Sequence, residues 1–141
     1  MQVVLEMRER ELEERQMEMA KVLATLNSQK QKLQEIFLAQ EENKNKLEAL
    51  CNSENLEITQ IQAHRDYGIK LVVDANNQNR IIKNTEAILK IKQKEVQEAH
   101  QKVEILKKLK EKQEKEYYQE FLKAETKEID DITSARYRLK Q

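Results

Sequence analysis

The chain has 141 residues, with 26 basic and 26 acidic side chains, one glycine, no proline and no tryptophan. So few turn formers exclude an ordinary compact globule, which draws on Gly and Pro to punctuate its elements. The balanced charge argues against a nucleic-acid partner, because displacing counterions from phosphates takes a net basic surface, and no apolar run reaches the length of a bilayer span.

Two classes remain, an extended coiled coil and charged disorder. Abundant Glu, Lys, Gln, Leu and Ala favour helix at almost every position. Periodicity separates the two. Steps of seven from Leu5 give Leu12, Met19, Leu26, Leu33, Gln40 and Leu47. Three residues after each lie Arg8, Arg15, Val22, Gln29, Ile36, Asn43 and Leu50. This 3-4 seam keeps phase over about seven heptads, which disorder does not do. Such a helix runs about 75 Å and is unstable alone, because its seam would face water. Cys51, the only cysteine, reads as a small apolar filler and excludes an internal disulfide or a cysteine-cluster metal site.

Asn52, Ser53 and Asn55 then cluster, Thr59 to Gln62 reads as a capping box opening a new helix, and Gly68 follows. Here the chain turns. In the second arm Ala75, Ile82, Leu89, Val96 and Val103 step by seven, with Ala99 and Leu106 on the companion positions. The phase then shifts through Leu109 to Tyr117, Phe121 and Ala124, and polar Lys92, Lys110 and Gln113 interrupt the seam as stutters. The expected fold is all-α: a single long antiparallel two-helix coiled-coil hairpin over 1–141, with room for a short helix near the turn. Arm one spans about 1–51, the turn or short helix about 52–66, and arm two about 67–136. A parallel dimer of one continuous helix is the rival, and the break near 52–58 favours the hairpin.

Folding back at about residue 60 brings the termini together. The Tyr117–Phe121–Ala124 stripe is then expected to pack near Leu5 and Leu12, with its rings covering the stems of Arg8 and Arg15. Tyr118 and Leu122 fall about 100° from that stripe and read as a partner contact. No phosphate loop, dinucleotide turn or zinc-protease helix occurs. His64 and His100 are far apart in sequence, and two packed helices enclose no ligand-sized cleft. The expectation is a non-enzymatic protein without cofactor or metal, soluble and cytosolic, given the absence of a signal-peptide pattern.

Two segments carry a resemblance. The opening VVLEMRERELEERQMEMAKVLATL (Val3 to Leu26) is similar to the N-terminal arm of the flagellar export protein FliJ family, a VL-x-LRE-type stretch entering a long charged helix. The closing LKKLKEKQEKEYYQEFLKAETKEIDDITSARY (Leu106 to Tyr137) resembles that family's C-terminal arm, a LEKL-type run, a Tyr, a charged tract and a KE-[LI]-D-[ED] ending. The resemblance implies an antiparallel stalk of the flagellar type III export apparatus. It also implies three partners: the hexameric export ATPase, whose ring assembly it promotes, the cytoplasmic region of the export gate membrane protein, and export chaperones. Contact with the inner membrane at the flagellar base is then peripheral, through partners. Carried onto this sequence, the ATPase-binding end comprises Arg8, Arg10, Arg15, Tyr118 and Leu122, within the region reaching Ile132. The gate-binding surface comprises Ile36, Phe37, Tyr67, Leu71 and Gln78, toward the hairpin tip. Ala39, Asn43 and Asp74 depart from the family pattern there. The abrupt start at Met1-Gln2-Val3 implies an N-terminus shortened by several residues. Competing readings are the equivalent stalk of a virulence-type secretion system, a free-standing holdase chaperone and a structural rod.

Overall fold

The computed structural model of the protein describes residues 1–140. Helix α1 spans Gln2–Cys51 and helix α2 spans Ile58–Lys140, and no strand occurs among the described residues. The two helices pack antiparallel, as a hairpin.

Local chemistry ends α1 where the polar cluster begins. The Asn52 amide still donates to the Glu48 carbonyl at 3.0 Å, whereas the Ser53 amide donates to the Leu50 carbonyl at 3.4 Å, the tightened last turn that closes many helices. Ser53 Oγ then donates to the Asn55 carbonyl at 3.4 Å, a side-chain turn that competes with continued helix. The Glu57 carbonyl accepts from the Ile61 amide at 3.1 Å and starts α2. Thr59 therefore lies inside the first turn rather than at its cap, two residues later than a capping box would need. No separate short helix follows, and α2 runs straight through Tyr67 and Gly68.

The chain divides into two compact units. In the unit formed by Glu14–Val96, the anticipated 3-4 positions are the ones withdrawn from water. Leu26, Leu71, Ala75 and Ile82 are fully buried, and Met19, Val22, Leu33, Ile36 and Leu89 are partly buried. Covering one such Leu or Ile contributes about 1.5–3 kcal/mol, so this narrow seam carries most of the stabilisation available. Pairs of hydrogen-bonded residues fix the direction: Asn43 meets His64, Gln29 meets Gln78 and Glu18 meets Lys92.

In the other unit, Met1–Glu13 with the stretch from Gln97 onward, Leu5 is buried together with Ala99 and Val103. Lys110 Nζ donates to Gln2 Oε1. Past Lys110 every residue from Glu111 to Leu139 is exposed. The expectation that Tyr117, Phe121 and Ala124 pack against Leu5 and Leu12 is therefore wrong: Tyr117 is 74% and Phe121 51% exposed. The reason is length. The turn closes at 52–57, α1 has 50 residues and α2 has 83, so the first residues of α1 lie beside Lys110 and nothing of it remains to cover the aromatics.

Gly68 is a helical glycine at a close approach. A Cβ there would stand 3.1 Å from Asn43 Nδ2. Asn43 cannot retreat freely, because Nδ2 donates to the His64 carbonyl at 2.9 Å and Oδ1 lies 2.9 Å from His64 Nδ1. We expect Gly68→Ala to lower stability despite the helix-propensity gain of about 1 kcal/mol. In an Asn43→Ala background the same substitution raises stability by roughly that propensity gain. Urea denaturation of the four variants checks both signs.

Candidate functional site

Within the terminal unit, Arg8 sits half-buried on the seam, its Nη1 donating to Glu11 Oε2 at 2.9 Å, and Arg10 is exposed on the outer side. Tyr118 and Leu122, 60% and 42% exposed, lie on the part of α2 that α1 does not reach. Tyr118 helps line a shallow hollow with Met1, Gln2, Lys110, Gln113, Glu114 and Tyr117. Arg8 lies about 9 Å along α1 from Gln2, and Tyr118 about 12 Å beyond Lys110 in the opposite direction. The Gln2–Lys110 contact thus separates the arginines from Tyr118 and Leu122 along the axis, and the structure does not gather them into one patch.

The exposed end of α2 carries a pattern that the sequence reading missed. From Tyr118, alternate steps of four and three reach Leu122, Glu125, Ile129, Ile132, Arg136 and Leu139. Those spacings put them on one helix face. Ile129, Ile132 and Leu139 are 62%, 50% and 87% exposed. The signal was available in the 4-3-4-3 spacing. It was hidden by the assumption that the Tyr117 stripe, offset by about 100°, was the buried one.

In the unit that holds the turn, Arg15 belongs to an ion-pair cluster. Arg15 Nη1 lies 3.3 Å from Glu18 Oε2 and 3.5 Å from Glu95 Oε2, and Lys92 Nζ lies 3.2 Å from Glu18 Oε2 and 3.5 Å from Glu95 Oε2. Two cations thus face two carboxylates across the helices. The hydrogen bond from Lys92 holds the Glu18 carboxyl below its ordinary value, and the same bond holds the Lys92 ammonium above its own.

The residues expected to meet the export gate separate into core and surface. Leu71 is 5% exposed and Ile36 half-buried, both on the seam. Gln78 Nε2 donates to the Gln29 carbonyl at 2.9 Å, while Gln29 Oε1 stays buried without a hydrogen-bond partner among the described residues. Phe37 and Tyr67 are exposed, at 44% and 45%. Tyr67 borders a hollow shared with Ala39, Glu42, Asn43, Lys46 and His64. Phe37, two residues before Ala39, points about 200° away and lies on the opposite flank.

Among the described residues no group of three or more His, Cys, Asp and Glu is placed to hold a metal ion, and no helix is long and apolar enough to cross a membrane. Cys51 is exposed at the end of α1 instead of filling a seam position.

A protein-family model described as Flagellar FliJ protein matches residues 1–141. Comparison with curated proteins and with solved structures gives no match.

The shifts in the Glu18 cluster set its pH dependence. Glu18 has a lowered folded value, so its contribution to stability is present above its ordinary 4.5 and is lost as pH falls through the folded value. Lys92 has a raised folded value, so its contribution is present below 10.5 and is lost as pH rises through the folded value. We expect Lys92→Met to move the Glu18 carboxyl back up toward its ordinary value. Carboxyl-carbon NMR titration of the variant reads that movement, and an unmoved Glu18 would show that Lys92 does not cause the shift.

Proposed function

The chain belongs to the flagellar FliJ family and is a component of flagellar protein export, and we propose that it serves there as a non-enzymatic stalk. On this reading it binds the hexameric export ATPase and promotes its ring assembly, contacts the cytoplasmic region of the export gate membrane protein, and escorts export chaperones. It works on the cytoplasmic side of the inner membrane at the flagellar base, held there through its partners.

The observation that carries the reading is the uncovered end of α2. Water-exposed aromatic and aliphatic side chains on a helix with no intramolecular cover are costly to leave solvated and favourable to bury against another protein. Tyr118 and Leu122 supply the apolar area of an ATPase contact. Tyr combines a large ring with few rotors and a polar tip, a combination suited to interfaces. Arg15, ion-paired across the helices with Glu95, is better read as holding the hairpin together, Arg8 is engaged with Glu11 on its own helix, and exposed Arg10 remains available for a charged contact.

Titrating a cognate export ATPase with the full chain is expected to give a saturable rise in hydrolysis together with ring assembly. Tyr118→Ala/Leu122→Ala is expected to weaken the half-maximal concentration about tenfold or more, the loss of two buried anchors. A rise unaffected by the double variant would move the contact elsewhere on the chain. No rise at all would overturn the stalk reading.

For the gate, accessibility favours Phe37 and Tyr67, on opposite flanks, over the seam residues Ile36 and Leu71. In a pull-down with the gate's cytoplasmic region, Phe37→Ala and Tyr67→Ala are expected to lose binding while unfolding like the parent. Leu71→Ala is expected to destabilise the hairpin by about 2–5 kcal/mol through its cavity. Binding that survives both surface substitutions would remove the gate contact from this region.

A further inference from the structure

The face defined by Tyr118, Leu122, Glu125, Ile129, Ile132, Arg136 and Leu139 has the 3-4 spacing of a coiled-coil seam, yet no part of α1 lies across it. A seam of this kind selects its partner by what each layer must meet. In an antiparallel pairing with a second copy, each position faces the residue whose number completes a constant sum. One register pairs all six positions from Leu122 to Leu139: Leu122 meets Leu139 of the second copy, Glu125 meets its Arg136, and Ile129 meets its Ile132. The twofold axis repeats the same three pairings in reverse. Both charged positions inside the stripe are thereby paired with the opposite sign, and both aliphatic ends are covered.

Other arrangements fail on the same residues. A parallel dimer in register would set Glu125 against Glu125 and Arg136 against Arg136, like charges in the middle of the seam. Sliding the antiparallel pair by one heptad places Ile129 opposite Glu125 in one direction and Ile132 opposite Arg136 in the other. The flanking positions add no repulsion in the favoured register, where Thr126 lies beside Thr133 and Glu128 beside Ala135.

We propose that the exposed end of α2 is a self-association surface, on which a second copy of this chain docks antiparallel through residues 122–139. The pairing is weak and concentration-dependent, because only a few aliphatic layers are buried on helices of about five turns. It rests on the layer matching alone and does not depend on the export reading.

Sedimentation equilibrium of the full chain tests it. The expected result is a mass rising with concentration from 16.8 kDa toward twice that value. Glu125→Arg alone and Arg136→Glu alone each set like charges at both symmetry-related layers, and each is expected to weaken association at least about tenfold. Mixing the two single variants restores oppositely charged pairs at both layers, so the mixture is expected to associate as the parent does. A general folding defect would not be rescued by mixing. A chain that stays at its monomer mass up to millimolar concentration, or a dimer insensitive to both charge reversals, overturns the proposal. In the monomeric case the face is left to a different protein, which ATPase titration detects separately.

Discussion

A protein of two helices has one place to bury apolar surface, the line along which the helices touch. Every other feature follows from that constraint. Each helix contributes alternate steps of three and four, so roughly two residues in seven leave water and the rest stay charged or polar. Leu26 and Val103, at 4% and 2% exposure, are the most buried side chains among the described residues. Stability is then a sum over layers, and it stops where either helix stops. On the terminal side that limit is the start of α1, with Leu5 the last fully buried residue before Met1.

Polar residues on the seam determine how the layers are matched. A purely aliphatic 3-4 seam repeats every seven residues and tolerates slippage by a heptad. Here Asn43 is fitted to His64. Its Nδ2 donates to the His64 carbonyl, which leaves Oδ1 as acceptor and makes the imidazole Nδ1 the donor. Gly68 completes the same layer, since its missing side chain makes room for the Asn43 amide. Glu18 and Glu95 meet Arg15 and Lys92, and Thr85 returns its hydroxyl to the Ile81 carbonyl within its own helix. A slipped register would leave Asn43 and Glu18 facing aliphatic neighbours, at the cost of unsatisfied polar groups. The seam gives up some burial at these layers and gains a defined pairing in return.

Those pairings explain what could be read from the sequence. The phase of α1 was legible from Leu5 to Leu50 because period seven acts locally and leaves a strong pattern. The antiparallel turn was legible because Asn52, Ser53 and Asn55 interrupt that pattern with residues that prefer to bond their own backbone. The length mismatch was not. Treating the arms as similar in length placed the fold-back near residue 60 and carried Tyr117 and Phe121 onto Leu5 and Leu12. Exposure cannot be read from an aromatic residue in isolation; it depends on whether the partner helix extends that far. Among the site candidates, Tyr118 and Leu122 were expected to be accessible because of their offset from a buried Tyr117 stripe; they are accessible, but because α1 leaves both stripes uncovered. The burial of Leu71 and the bonding of Gln78 to Gln29 did not follow from matching positions to a family pattern, which carries no facing residue.

The uncovered end of α2 must hold its helix without a partner, and its sequence is suited to that. Glu111 and Lys115, Lys112 and Glu116, and Lys127 and Asp131 stand four residues apart with opposite charge, the spacing that supports a solvated helix. The same charges leave the Tyr118 to Leu139 face as the one stripe on which aliphatic residues recur in phase. A helix held by its polar sides and apolar on one stripe is ready to bind without folding first, so ordering costs little when a partner arrives. The two proposed uses of this face share Leu122. A chain paired with its own copy covers Leu122 against Leu139 and cannot offer it to an ATPase. Self-association and ATPase binding therefore compete for the same side chain, and raising the concentration of either partner must release the other.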